Sequence, residues 1–428
     1  MKQLTRLFIP ICLETLFYML SGMVDTLMLS AVGDYAVGAV GTANSYIGIF
    51  IIMFSIISSG MVSVMTQNIG AGRPGVAYQA RQLGLLFNAV AGVLMAVFLF
   101  SGAGAILRMV GIADALYEPA LIYLKIVGGG CILNAVIPIF SSYLRAFGYT
   151  KQQLYATIVG NIANFVMNAV FLFVLHKGVA GVATATVISK ILNLCIVLYF
   201  SHKLISAKNS TERIANKTVL GQIVKVGLPS ACETALYNVA MMLVIRFLNQ
   251  MDAEGLNVTA RSYTATISNF SYCVGAALAQ ANAIMTGWHI GAGELEECDR
   301  GTKRAAFVGV CVAVCMETAI VLGSGFIMPL FTDNPEMTAL VRKLLAIDIV
   351  LEIGRVTNLV FGQALKTSGD AVFPAVIAAV FMFVFAVGGT WLFGISMGLM
   401  AVGAYIGLAS DECVRAVGMV WRWKTGKW

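Results

Sequence analysis

The stretch Pro10-Ile-Cys-Leu-Glu14-Thr-Leu-Phe-Tyr18 returns as Pro229-Ser-Ala-Cys-Glu233-Thr-Ala-Leu-Tyr237, 219 residues further along. Two more motifs recur in the same order, each at an offset of 221. Ile69-Gly70-Ala71-Gly72 becomes Ile290-Gly291-Ala292-Gly293, and Leu144-Arg145-Ala-Phe-Gly148 becomes Leu365-Lys366-Thr-Ser-Gly369. Three motifs that hold one spacing imply duplication of a unit about half the chain long. The 428 residues are two copies of one module.

Composition says what the module is made of. Hydrophobic residues make up 59% of the chain and charged residues 11%, against about 25% charged in soluble domains, and the mean hydropathy is +0.85. A spanning helix needs about 20 mostly apolar residues. Such runs fall at 7–30, 42–66, 79–100, 119–143, 152–175 and 179–202, then at 221–250, 257–285, 304–327, 338–363, 371–394 and 398–421. They are continuous, unlike the short alternating segments of a membrane β-barrel. The pattern predicts an all-α polytopic membrane protein of twelve spans in two pseudo-symmetric six-helix lobes, 1–202 and 221–428, joined by a polar linker at 203–220.

Lys2 and Arg6 before an apolar run resemble a signal peptide, but Glu14 and Asp25 interrupt that run, so it reads as a retained first span. The even-numbered connections carry Arg73, Arg81, Arg145, Lys151, Lys203, Lys208, Arg300, Lys303 and Lys366, whereas the odd-numbered ones carry Asp34, Asp252, Glu254, Asp333 and Glu336 with little basic beyond Arg108 and Lys177. By the positive-inside rule the termini and central linker are cytoplasmic. This topology absorbs the net charge of +7 and leaves no basic surface that calls for nucleic acid. The nine cysteines are scattered. Cys311 and Cys315 share a helical turn without a nearby histidine, and His176, His202 and His289 sit at span ends, so no metal site is expected.

Charges inside spans cost about 2.5–3.5 kcal/mol each on insertion scales and mark function by default. On the first span Glu14, Tyr18, Ser21 and Asp25 are spaced i, i+4, i+7 and i+11, one helix face that should look inward. The second copy keeps Glu233 and Tyr237 but has Val244 in place of the Asp25 acid. The shared glutamates suggest a structural role, such as bonding loop backbone; the unshared Asp25 is the functional candidate. On the fifth span Asn161, Asn164 and Asn168 form a stripe of amides able to share a cation or bond a carboxylic acid, although asparagines also simply hold helices together. On the tenth span Asp348, Glu352 and Arg355 lie at i, i+4 and i+7, where the first copy has Val127, Cys131 and Asn134. The twelfth carries Asp411, Glu412 and Arg415, and Lys190 is the repeat partner of Asp411, which suggests a pairing of opposite charges.

The chain resembles the multidrug and toxic compound extrusion (MATE) family of secondary exporters over essentially its whole length. The likeness rests on the Pro-x3-Glu starts, Val24-Asp25, the twin Ile-Gly-Ala-Gly loops, Leu144-Arg145-x2-Gly148 and the run Gly181-Val-Ala-Thr184-Ala-Thr186-Val-Ile-Ser189. The resemblance implies two lobes around a cavity that opens to either membrane face, and export of organic, often cationic, compounds against proton or sodium uptake. It also implies an ion site in the first lobe at Asp25, with Asn164, Asn168, Thr186 and Tyr123 around it. Asn168 stands where that branch commonly has a second acid, which lessens the charge available to sodium and keeps the proton in play. Glu233, Tyr237, Asp348, Glu352 and Arg355 are the substrate-cavity candidates. A bacterial-type inner membrane, a monomer with small organic substrates and lipid as partners, and no cofactor beyond the coupling ion complete the reading.

The 21 methionines would suit an adaptable cavity. A flippase for lipid-linked precursors would share the lobes but should be richer in cations than Lys190, Arg246 and Arg355 supply. An embedded enzyme would need a metal histidine pair, a nucleophile elbow or a second acid beside Asp25, and none of these is visible.

Overall fold

The computed structural model describes residues 2–110, 112–205, 212–252 and 255–426, and the described residues contain helices and no strand. The helices are α1 (Lys2–Ser30), α2 (Asp34–Gly70), α3 (Pro74–Val110), α4 (Asp114–Gly129), α5 (Cys131–Ala146), α6 (Thr150–Ala169), α7 (Gly178–Leu204), α8 (Asn216–Met251), α9 (Leu256–Ala292), α10 (Leu295–Ile327), α11 (Pro335–Ser368), α12 (Val372–Phe381) and α13 (Met400–Lys424). Eight are long and apolar enough to cross a bilayer, counting α6 and α12 with their continuations, and α4 with α5, bent by 43°, supplies a ninth. The remaining three, α9, α11 and α13, have 37, 34 and 25 residues, more than the about 20 that a span requires. Their apolar runs are interrupted by the charged and hydroxyl side chains described below. Each of the twelve expected spans thus has its helix, with the fourth broken at Gly130.

The repeated motifs explain how consecutive helices turn. Gly72 and Gly293 have φ of 72° and 78°, and Gly148 and Gly369 have φ of 82° and 105°. This left-handed backbone costs glycine nothing, so glycine ends the preceding helix and lets its last carbonyls accept from the turn. Tyr149 N accordingly reaches Leu144 O at 2.9 Å, and Asp370 N reaches Leu365 O at 3.0 Å. The duplication also shows in a departure from α-geometry. The end of α6 widens into a π-helical stretch at Val170–Val174, and α12 continues through two, Met382–Val387 and Thr390–Ser396, the last at the repeat position of the first.

The chain forms two compact units, Ile9–Leu228 and Pro229–Trp428 together with Met1–Phe8. The division lies inside α1 and α8, each next to a proline of the repeated motif, and not at 203–220. The physical reason is apolar burial: Val219 and Ile223 of α8 belong to the core around Met61, Met65, Ile139 and Leu144. Residues 206–211 of the expected linker lie outside the described residues. The unit of Ile9–Leu228 has a second core around Phe54, Leu99, Leu124 and Val182, and the other unit packs around Val244, Leu248, Leu344 and Tyr405.

Candidate functional site

Two polar clusters lie along α1. At Glu14 three donors converge on one carboxylate oxygen: Arg145 Nη2 at 2.7 Å, Gln153 Nε2 at 3.1 Å and Thr157 Oγ1 at 3.3 Å. One acid therefore ties α1 to the end of α5 and to one face of α6. The second unit repeats the device, with Lys366 Nζ 2.7 Å from Glu233. Both glutamates bond a cationic side chain and not the loop backbone expected from the sequence, as a charged donor makes the stronger bond.

Asp25 forms the other cluster. Its Oδ1 accepts from Asn168 Nδ2 at 2.9 Å, and the same nitrogen reaches Asn164 Oδ1 at 3.2 Å. Asn164 in turn faces Ser189 Oγ of α7 at 3.4 Å. Both asparagines are buried, and Asn168 Oδ1 has no donor. Tyr123 of α4 is buried beside Asp25, with its hydroxyl among Asn44 of α2 and Thr186 of α7. Thr186 Oγ1 donates to Val182 O at 2.9 Å. Five helices thus gather one carboxyl, amides and hydroxyls. An all-oxygen set of this kind can hold a proton on the carboxyl or bind a hard cation.

In the other unit α11 packs against α9, α10 and α13. Arg355 bonds Glu352 of its own helix and approaches Glu412 of α13 at 3.7 Å. Arg415 grips Asp411 through Nε and Nη2 at 3.1 and 2.7 Å and reaches Glu412 at 2.9 Å. The two helices come close because of Gly354, where a Cβ would lie 2.7 Å from the backbone nitrogen of Cys413. From α10, Glu317 joins Asp348 and Glu352, and all three are buried. Five carboxyls face two guanidinium groups here.

A family model described as MatE matches residues 10–170 and again residues 229–392. The chain belongs to the MATE family. Its two matches are the two copies read from the repeated motifs. The MATE chain is 32% identical over 425 residues to the uncharacterized transporter YisQ of Bacillus subtilis (strain 168), covering 98% of this chain and 93% of that protein. It is 20% identical over 440 residues to the probable multidrug resistance protein NorM of Thermotoga maritima, covering 100% and 93%. A crystal structure of a MATE protein in the straight conformation superposes with a TM-score of 0.87 at 22% identity, covering 99% and 96%.

Within this MATE chain the structure brings Asp25, Asn164, Asn168, Thr186 and Tyr123 together in one unit. The α1 stripe is not wholly enclosed: Glu14 is buried but Tyr18 is 72% exposed, as an amphipathic ring can be. Asn161 donates to the carbonyl of Phe17 at 3.3 Å. Among the substrate-cavity candidates Tyr237 is exposed, Asp348 and Glu352 are enclosed, and Glu233 is taken up by Lys366. Lys190 and Asp411 each find a partner in their own unit, Lys190 with Asn134 at 2.8 Å and Asp411 with Arg415. The sequence reading missed Asn44 and Ser189, and above all Glu317. Its signal was available: Glu317 is the sole acid of the run 304–327, and an acid within an apolar span is a functional candidate.

Proposed function

We propose that this MATE chain exports organic, cationic amphipathic compounds by alternating access, driven by inward movement of a proton or sodium ion carried at Asp25. The observation that carries the reading is the bond from Asn168 to Asp25, made by an amide whose own buried oxygen lacks a donor. Such an amide offers N–H to an ionised carboxylate and, after turning over, its oxygen to a protonated one or to a cation. The pocket therefore tolerates both charge states of Asp25, as a coupling site must. Tyr123 and Thr186 add hydroxyls, and the single acid favours the proton. One proton crossing 100 mV releases about 2.3 kcal/mol, and each pH unit adds about 1.4 kcal/mol, enough for cargo gradients of a decade or two.

The multidrug description of the NorM relative lends direction to the choice of cargo. The lysine and arginine distribution supports a cell-membrane protein with both termini inside. The working unit in this reading is a monomer in lipid, with no cofactor besides the coupling ion and no nucleic-acid partner.

The test is export of a cationic dye from proteoliposomes under separately imposed proton and sodium gradients. Asp25→Asn removes the titratable group at nearly constant volume, so dye binding should persist while gradient-driven export collapses. In the wild type, dye affinity should vary with pH, and in the variant it should not. Export by Asp25→Asn at the wild-type rate would end the proposal.

A further inference from the structure

Among the described residues Glu317 and Asp348 bond no arginine of the unit, and Glu352 shares Arg355 with Glu412. Arg415 is held by Asp411 and Glu412. One oxygen from each of the three acids lies within 4.8 Å of the others. Glu317 and Glu352 are 0% exposed and Asp348 3%. Carboxylates so close and so dry repel one another unless something positive lies among them.

A third helix supplies an independent observation. Ser268 and Ser271 of α9 are 3% and 1% exposed; Ser271 is directed at Glu317 and Ser268 at Asp348, and no group outside the cluster takes either hydroxyl. Buried hydroxyls usually find a partner. Together with both oxygens of Glu317, Oδ2 of Asp348 and Oε2 of Glu352, they make six buried oxygens with no partner outside the cluster. All six belong to neighbouring helices α9, α10 and α11.

We propose that Glu317, Asp348 and Glu352, with Ser268 and Ser271, form an inorganic cation site in the second unit that holds a hard divalent cation of the calcium kind, separate from the Asp25 site. An all-oxygen donor set selects a hard cation over thiophilic metals. Three carboxylates match a divalent charge better than sodium, even with Arg355 bonded to Glu352. Six ligands in an irregular protein cage suit calcium, which accepts six to eight oxygens, better than magnesium, which demands octahedral geometry and keeps its waters. A resident cation there would bridge α9, α10 and α11 and stabilise that unit, whatever ion drives transport.

The test uses the full-length protein, purified in detergent, stripped with chelator and held near pH 7.5. Calcium titration by calorimetry should show one saturable site per chain, unaffected by 100 mM sodium, and calcium should raise the thermal midpoint of the wild-type protein. Glu317→Gln should weaken binding at least tenfold and Ser271→Ala several-fold, while Asp25→Asn should bind as the wild type does. The wild-type titration stands even if a variant fails to fold. Absence of saturable calcium binding, displacement by sodium, or binding unchanged in Glu317→Gln would overturn the proposal. Loss of binding in Asp25→Asn would also do so, by placing the cation in the first unit. Failure of dye export bears on Asp25 alone, so the two proposals are tested separately.

Discussion

Arg145 stands 2.7 Å from Glu14, and through this contact the Leu-Arg-x2-Gly motif grips the Pro-x3-Glu motif of the same copy. Lys366 stands 2.7 Å from Glu233 in the same relation. Two of the three motifs that revealed the duplication are therefore the two sides of one ion pair, made once in each unit. A pair needs both partners, which is a physical reason for the motifs to occur together. Removing one side leaves the other charge largely enclosed without its counter-ion, which costs more than the pair itself contributes.

A double-mutant cycle should expose this coupling. Glu14→Ala and Arg145→Ala should each lower the thermal midpoint in detergent, and the double variant should lose less than the two together. The interaction energy should fall within about 0.5–3 kcal/mol. Additive losses would mean that Gln153 and Thr157 hold Glu14 by themselves.

Asn168→Asp should turn the Asp25 site toward sodium. The exchange keeps the volume and converts an amide beside Asp25 into a second carboxyl, raising the charge available to a metal ion in a dry pocket. Binding of radioactive sodium to the purified protein should strengthen about tenfold or more relative to the wild type, since tenfold corresponds to only about 1.4 kcal/mol. Equal sodium binding by both proteins would count against a cation-binding role for this cluster.

Gly354→Val should separate α11 from α13. Its branched side chain would start from a Cβ that lies 2.7 Å from Cys413 N and 2.8 Å from the Glu412 carbonyl carbon, and backbone cannot step aside as a side chain can. A loss of at least about 1–3 kcal/mol is expected, read as a lower thermal midpoint. Gly22→Ala is the control, because nothing lies within 4 Å of that Cβ; it should stay within about 1 kcal/mol of neutral.

The direction of insertion can be read by thiol labelling in a background cleared of native cysteines. Lys177→Cys and Asp333→Cys should react with an impermeant maleimide added to intact cells, and Arg73→Cys only after lysis. The reverse pattern would invert the topology.

The helices were legible because each apolar run must satisfy its own backbone within the bilayer; helical spacing singled out Asp25 on α1 and the asparagine stripe on α6 separately, and only the family resemblance joined them with Thr186 and Tyr123. Glu317 escaped for a geometric reason. Face counting sees groups on one helix, whereas this acid meets Asp348 and Glu352 only through the packing of α10 on α11, and its serine neighbours on α9 are unremarkable in sequence. The partner of Glu14 was hidden likewise: Arg145 is 131 residues away, and only the recurrence of both motifs hinted that they belong together. The break at Gly130 and the π-helical stretches depend on local packing that hydropathy does not record.

The division of the chain also sets a timetable for its synthesis. The unit of Ile9–Leu228 is one continuous segment, so every residue it needs exists once position 228 has left the ribosome. The other unit includes Met1–Phe8 along with Pro229–Trp428, so Met1–Phe8 are made well before the rest of their unit. At about 5–20 residues per second, the intervening wait is roughly 10–40 s. For that interval the residues ahead of Ile9 lack the partners they have in the finished chain.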